Sequence, residues 1–267
     1  MQTFVLLKVV PDTVEELTVA ADGKSLDPEA LRFKLGDADE HALEAALLLQ
    51  ERHGGTVTVV ALEAPEVDDA LFTALAKGAD RVVKISADQT RLGAVATAKV
   101  LAAFFTSGDG AVTPDTLVLA GSQAVDDLEG ELAAYLAEAL DLPYVGVVCG
   151  VALADGRAVV LKEFAGGLRG EFDVALPMVL GIQSAEKPPR YVPVAKVRAA
   201  MKSARIESAE FAPLGPAQAL EVIRMFKPEA GGRAQMLDGS PVEIADRIAD
   251  ILAERNLLQP SNRGSTT

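Results

Sequence analysis

Several residue types are scarce in this chain of 267 residues, which has no Trp, one Cys, two His and only 4% aromatic residues. The single cysteine excludes an internal disulfide, and with so few Cys and His we expect no metal site. No apolar run approaches the roughly 20 residues that a membrane-spanning helix needs. The first residues lack the basic start and the small-residue cleavage site of a signal peptide, so we expect a globular cytoplasmic protein without membrane insertion.

Cations are also in the minority. The chain has 25 Lys and Arg against 39 Asp and Glu, which gives a formal net charge of -14. Nucleic-acid binding requires clustered Lys and Arg to neutralise phosphates, so nucleic acid is not expected as a partner. Hydrophobic residues make up 49% of the chain, which is enough for a sizeable core.

Apolar runs typical of strands alternate with amphipathic segments typical of helices through the first half of the chain. The predicted strands are residues 3–10, 56–62, 81–85 and 115–119, and the predicted helices are residues 37–53, 67–77 and 91–105. This alternation predicts an α/β fold with a mostly parallel, doubly wound sheet. Four later runs, joined by glycine-containing turns, are predicted as antiparallel strands added to it: residues 144–153, 158–164, 170–176 and 177–182.

The pattern weakens towards the C-terminus. The run PPRYVPVAKV has no regular period and is expected to be an exposed loop that leads into a helix. From residue 211 the chain has little pattern until PVEIADRIADILAERNLL, which predicts a final amphipathic helix. We therefore expect a core domain of residues 1–205 and a C-terminal arm of residues 206–267 that docks on a partner subunit.

The segment of residues 117–143 reads as a buried strand, a glycine turn, an acidic loop and a helix. Ligands of parallel sheets bind at the carboxyl ends of strands, where a helix N-terminus attracts phosphate. Here the loop carries four carboxylates, which would repel a phosphate: Asp126, Asp127, Glu129 and Glu131. Capping of the following helix is an alternative role for the first two. The sequence thus predicts the scaffold of a nucleotide site with altered chemistry.

Seven segments in order carry a resemblance to a known family: LLKVVPDT, DEHALEAALLL, ALFTALAKGADRVV, LVLAGSQAVDD, GGLRGEFDVALPMVLGI, PPRYVPVAKV and GSPVEIADRIADILAE. Together they resemble the β subunit of an electron transfer flavoprotein. The resemblance implies an adenine-nucleotide α-hydrolase-like fold and a heterodimer whose FAD is held mainly by the α subunit. It also implies AMP in the β subunit, or a second FAD in bifurcating members.

The resemblance implies that the flavin does the chemistry and that no residue of this chain is a catalytic acid, base or nucleophile. The residues that match the family's cofactor-binding positions are Asp12, Thr13, Gly121, Gln123, Asp126 and Asp127. The first two occupy the turn that faces the flavin ring in relatives, and the others lie in the acidic loop.

Six residues depart from the family's nucleotide pocket: Leu6, Gly36, Ala64, Gly130, Glu131 and Leu132. Leu6 replaces a small residue against which the adenine packs, Gly36 replaces an amide, and Ala64 replaces a glycine. In the loop, amide and hydroxyl donors are exchanged for a carboxylate and methyl groups. An unpaired carboxylate beside a phosphate costs on the order of several kcal/mol at low dielectric, more than the roughly 0.3–1 kcal/mol from a helix N-terminus. We expect no AMP of the usual kind, and still less a second FAD.

A partner-docking segment is implied at Arg190, Tyr191 and Val194. The first two retain a pair found in the family, and Val194 replaces a Leu that inserts into a pocket of the donor dehydrogenase. An exposed apolar loop residue suits docking. The alternative is that Tyr191 and Val194 cover the core. The family has a lysine cluster after this segment, and this chain has fewer lysines there. A donor other than an acyl-CoA dehydrogenase is therefore an open alternative.

Two functions remain open at this point. The favoured one is a β subunit that pairs with a FAD-carrying α subunit and carries electrons from a flavoprotein dehydrogenase to a downstream, for example quinone-linked, acceptor. It would be a carrier subunit rather than a catalyst with its own substrate. The alternative is a structural or assembly paralogue without redox exchange, and the altered pocket supports it.

Overall fold

The computed structural model describes residues 1–29, 31–127, 129–154, 156–212, 222–228, 234 and 236–258. The chain divides into two compact units, Met1–Met225 and Phe226–Thr267.

The described part of the first unit contains eleven strands and five α-helices. The strands are β1 (Gln2–Leu6), β2 (Val9–Pro11), β3 (Phe33–Leu35), β4 (Thr56–Glu63), β5 (Arg81–Asp88), β6 (Thr116–Gly121), β7 (Tyr144–Ala154), β8 (Arg157–Glu163), β9 (Arg169–Ala175), β10 (Met178–Ile182) and β11 (Glu207–Ala209). The helices are α1 (Asp37–His53), α2 (Val67–Lys77), α3 (Ala94–Phe105), α4 (Leu132–Leu140) and α5 (Val194–Ser203).

Nine of these strands form one sheet in the order β11-β5-β4-β1-β6-β10-β7-β8-β9, and β2 and β3 form a separate antiparallel ribbon. Every pairing from β11 to β7 is parallel. Helices α1 and α2 bury their apolar residues on one face of the sheet, and α3 and α4 bury theirs on the other. The predicted α/β fold with a mostly parallel, doubly wound sheet is confirmed.

The antiparallel extension differs from the prediction in one strand. β8 pairs antiparallel with β7 and with β9, as expected. β10, however, lies between β6 and β7 and is parallel to both, so its predicted antiparallel pairing was wrong. All five of its residues are buried. A parallel strand buried on both faces is a continuous apolar run, and such a run alone does not reveal its direction.

Helices α1 and α2 have the predicted bounds, and glycines follow both. The predicted strand of residues 3–10 divides into β1 and β2, which belong to different sheets. The helix predicted from residue 91 begins at Ala94, because Gln89–Arg91 forms a short 3-10 turn in which Asp88 accepts a hydrogen bond from Thr90 N. The predicted loop before α5 is confirmed.

The first unit extends beyond Arg205. β11 pairs with β5, and the Phe211 ring packs edge-on against Phe104 with centroids 5.7 Å apart. Within the poorly patterned stretch that follows, residues 213–221 lie outside the described residues. The docking of residues 206–267 on a partner stays a prediction.

The second unit contains α6 (Pro241–Glu254), which confirms the predicted final helix. Ser240 and Glu243 form a reciprocal capping box, and Pro241 occupies the first helical turn. Val242 and Ile248 remain exposed on it. The helix therefore has well-defined ends and an apolar surface that its own unit does not bury.

Candidate functional site

The candidate site is a crevice at the carboxyl ends of β1 and β6. From β1 the chain adds β4 and β5 on one side and then returns to add β6 on the other, so the strand order reverses between β1 and β6. Crevices at such reversals are the usual ligand sites of open α/β sheets. The segment after β1, the loop after β6 and the N-terminus of α1 all reach this point.

A buried carboxylate of α1 occupies the crevice. Asp39 is 6% exposed, and its Oδ1 accepts a hydrogen bond from Gly121 N at 3.0 Å. Burial raises the pKa of Asp39 to about 7, although the N–H of Gly121 and the charge of Lys8 act in the opposite direction. Asp39 was not among the predicted site residues.

Two glycines allow Asp39 to lie so close to the backbone. A Cβ on Gly121 would stand 2.8 Å from Asp39 Oδ1, and a Cβ on Gly36 would overlap Asp39 Oδ2. Gly36 also donates its N–H to the carbonyl of Lys8 at 2.9 Å, which ties the start of α1 to the end of β1. Gly36, one of the altered positions, thus serves as a close-packing residue.

The acidic loop has its own counter-ion. Lys8 Nζ lies 2.7 Å from Asp126 Oδ1, and both side chains are partly exposed. The backbones of Ala124 and Asp127 bond each other in both directions and close a tight turn. The helix-capping alternative for Asp126 and Asp127 is wrong, because α4 begins at Leu132 after Glu131 and has no side-chain cap. Lys8 was not among the predicted site residues.

The end of the loop folds back onto its beginning. Gly130 has a φ of 64°, and a Cβ there would overlap the carbonyl oxygen of Ser122. Glu131 is exposed and interacts with Tyr135, whose pKa it raises first by its charge and then by a hydrogen bond. Leu132 packs against the core on the α3 and α4 side. The phosphate-binding positions implied by the resemblance are thus engaged by the chain's own backbone and side chains.

The remaining predicted positions have different surroundings. Leu6 is 4% exposed and belongs to the core cluster on the α3 and α4 side. Ala64 follows β4 and packs against the opposite cluster. Gln123 is exposed in the loop. The predicted residues that the crevice brings together, through Asp39, Lys8 and Ser122, are Gly36, Gly121, Gly130 and Asp126.

Asp12 and Thr13 lie elsewhere, on the turn that follows β2. Asp12 Oδ1 accepts a hydrogen bond from Val14 N at 3.1 Å, which fixes the turn. Thr13 is exposed, and Val14 is 87% exposed. Gln89 Nε2 donates to the carbonyl of Val9 at 2.8 Å and ties this ribbon to the end of β5. The turn is therefore fixed by hydrogen bonds and exposes Thr13 and Val14.

The docking segment combines one anchored residue with two exposed ones. Arg190 bonds Glu44 and Glu51 of α1, whereas Tyr191 is 84% exposed and Val194 is 61% exposed. Such exposure contradicts the alternative in which Tyr191 and Val194 cover the core.

Within the described residues, no group of three or more His, Cys, Asp or Glu side chains is placed to hold a metal ion. The helices described here include none long and apolar enough to cross a bilayer. The crevice contains a buried carboxylate that accepts a hydrogen bond from a backbone N–H, and one ion pair.

Comparison with known proteins gives a consistent result. A family model described as "Electron transfer flavoprotein domain" matches residues 25–214. The electron transfer flavoprotein subunit beta of Methylophilus methylotrophus is 30% identical, over 95% of this chain and 98% of the relative. That of Bacillus subtilis is 29% identical, over 94% and 97%. The caffeyl-CoA reductase-Etf complex subunit CarD of Acetobacterium woodii is 31% identical, over 97% and 100%.

Proposed function

The chain belongs to the family of electron transfer flavoprotein β subunits, and on this basis we propose that it pairs with a FAD-carrying α subunit. The pair carries electrons from a flavoprotein dehydrogenase to a downstream, for example quinone-linked, acceptor in the cytoplasm. The observation that carries this proposal is the similarity to β subunits over 95% of the chain and 98% of the relative.

Exposed apolar surface supports pairing with an α subunit. On the antiparallel extension, the tilted rings of Phe164 and Phe172 have their centroids 6.4 Å apart and are 43% and 39% exposed. Leu168 is 68% exposed. In the second unit, Val242 of α6 is 70% exposed. Apolar surface of this kind favours burial against another chain. The extension and the C-terminal arm are thus the surfaces we assign to the α subunit.

The flavin supplies one- and two-electron chemistry when bound. This chain helps to position the flavin. The turn at Asp12 and Thr13 is held by its own hydrogen bonds and leaves Thr13 accessible, which suits a surface that covers part of a flavin ring held by the α subunit.

The crevice does not fit AMP of the usual kind. A phosphate placed before α4 would meet Glu131 and the turn in which Gly130 lies against Ser122. The N–H of Gly121 is already bonded to Asp39, whose carboxylate would also oppose a second anion when ionised. We therefore propose a closed crevice, with neither AMP nor a second FAD.

A closed crevice also favours the second candidate, an assembly subunit of the same family without redox exchange. The two candidates differ in whether a flavin lies against the turn at Asp12 and Thr13.

One experiment separates the candidates. The chain is co-purified with its α subunit, the complex is denatured, and FAD and AMP are counted per heterodimer by absorbance and mass. One FAD without AMP is expected. One FAD with one AMP would overturn the closed crevice, and a heterodimer without flavin would favour the assembly subunit.

A further inference from the structure

The segment between β10 and α5 is fastened to one face of α1. Ala185 N donates to His41 Nδ1 at 3.1 Å, and Glu186 forms an ion pair with Arg52. Arg190 bonds two further residues of the helix. The four α1 positions, 41, 44, 51 and 52, share a face because a helix brings residues three or four apart to the same side. The segment therefore runs along α1 before it reaches Tyr191.

The contact between Glu44 and Arg190 is the strongest of these attachments. Arg190 Nη2 lies 2.8 Å from Glu44 Oε1, and Arg190 Nε lies 2.9 Å from Glu44 Oε2. Arg190 N also donates to Glu44 Oε2 at 2.9 Å. Glu51 adds a second carboxylate at 2.7 Å from Nη1. A bidentate arginine–carboxylate pair fixes orientation as well as distance.

Glu44 is buried, so its carboxylate requires a partner within the structure. Burial alone would raise the pKa of Glu44, but hydrogen bonds and charge attraction from Arg190 outweigh it and hold the pKa below its usual value. A buried carboxylate that loses its partner is strongly unfavourable. The pairing of Arg190 with Glu44 thus holds the segment before Tyr191 against α1.

We infer that Glu44 and Arg190 are positioning residues that hold Tyr191 and Val194 in place for the redox partner, without contacting that partner themselves. This inference rests on the proposed function of the docking segment. α5, which begins at Val194, packs against α2 without a fully buried residue. The stretch just before Tyr191 is held by the bonds of Arg190 to Glu44 and Glu51. Arg190, expected from the resemblance to dock directly, acts through the residue that follows it.

Amide hydrogen exchange of the complex with its α subunit tests the anchor. Three variants are compared: Arg190→Lys, Arg190→Ala, and a double variant with Glu44→Met and Arg190→Met, which leaves no buried charge unpaired. Exchange across residues 185–194 should accelerate in all three variants, least in Arg190→Lys, and by about tenfold or more in the double variant, which corresponds to about 1.4 kcal/mol. The amide of residue 190 should stay protected in Arg190→Ala, because it bonds Glu44 directly, and lose protection in the double variant.

Arg81→Ala is the matched control. Its side chain is 29% exposed, like that of Arg190, and it contacts Glu207 through Nε at 2.8 Å and Nη2 at 2.6 Å. It should leave exchange at residues 185–194 unchanged. Equal acceleration in the control, or none in the double variant, would overturn the inference.

Kinetics distinguish positioning from a merely structural role. With a flavoprotein dehydrogenase selected because it reduces the wild-type complex, KM for the complex should rise about tenfold in the double variant, while kcat stays within about twofold. Arg190→Lys should recover part of the loss. A fall in kcat at unchanged KM would refute positioning. The proposed function itself fails differently, namely if the wild-type complex holds no flavin or no such dehydrogenase reduces it.

Discussion

Replacing Asp39 by Asn removes the buried charge from the crevice and should make the stability of the chain less sensitive to pH. In the folded chain burial raises the pKa of Asp39 from 3.8 to about 7. The folded state therefore binds this proton more tightly than the unfolded state. Stability from this group is fully present below the unfolded pKa and is lost as pH rises through the folded pKa.

The size of the effect follows from the shift. A shift of about 3 units, at about 1.4 kcal/mol each, means that ionised Asp39 lowers the free energy of unfolding by about 4 kcal/mol well above pH 7. Between about pH 5.5 and about pH 8.5 this penalty grows by about 2 kcal/mol. Asn retains an oxygen that can accept from Gly121 N and has no charge to bury. The difference in unfolding free energy between the variant and the wild type should thus move by about 2 kcal/mol in favour of Asp39→Asn over that range.

Urea unfolding at the two pH values, followed by circular dichroism, measures this difference. Any constant effect of the amide cancels when the two pH values are compared. Asp37→Asn is the control, since Asp37 lies at the same helix end but is exposed and paired with Lys34 at 3.1 Å. The reasoning would be refuted if the difference in unfolding free energy between Asp39→Asn and the wild type did not change with pH. It would also be refuted if Asp37→Asn showed an equal change.

Two further substitutions test the loop that closes the crevice. In urea unfolding, Gly130→Ala should lower the unfolding free energy more than Gly23→Ala. Both glycines have a positive φ, 64° and 65°, and this conformation costs an L residue roughly 1–2 kcal/mol. Only at Gly130 would the new Cβ overlap the carbonyl oxygen of Ser122. Equal losses of unfolding free energy in the two variants would show that the close contact with Ser122 does not affect stability. Lys8→Ala should lower the unfolding free energy by less than about 1 kcal/mol, because its pair with Asp126 is partly exposed. It should also leave the flavin count per heterodimer unchanged, and a loss of flavin would place the cofactor at this crevice.

Local patterns predicted the elements better than their arrangement. The bounds of α1 and α2 follow from apolar spacing that ends at Gly54 and Gly78, both of which have positive φ. The direction of β10 could not be read in the same way, because a buried strand has the same run of apolar residues whichever way it pairs. Its place between β6 and β7 is decided by packing of the whole sheet.

The chemistry of the candidate site was harder to predict because its partners are far apart in sequence. Asp39 and Gly121 are 82 residues apart, and Glu44 and Arg190 are 146 apart. Each carboxylate, taken alone, is an ordinary acidic residue of a helix. Burial and pairing arise only when β6 and the segment after β10 reach α1. The resemblance marked Gly121 and Arg190, yet the carboxylates that bind them were not foreseen.

Helix α1 connects the crevice to the predicted docking segment. Asp39 joins its first turn to the crevice, and Glu44 joins the next turn to the docking segment. In the crevice, Asp39 bonds Gly121, Lys8 pairs with Asp126, and Gly130 lies against Ser122. In the proposed closed crevice, these contacts within the chain replace those of a nucleotide. With a crevice closed in this way, we expect the position of α1, and with it the position of Tyr191, not to depend on a bound nucleotide. A β subunit built in this way can keep its docking surface in place after the nucleotide chemistry of the crevice has changed.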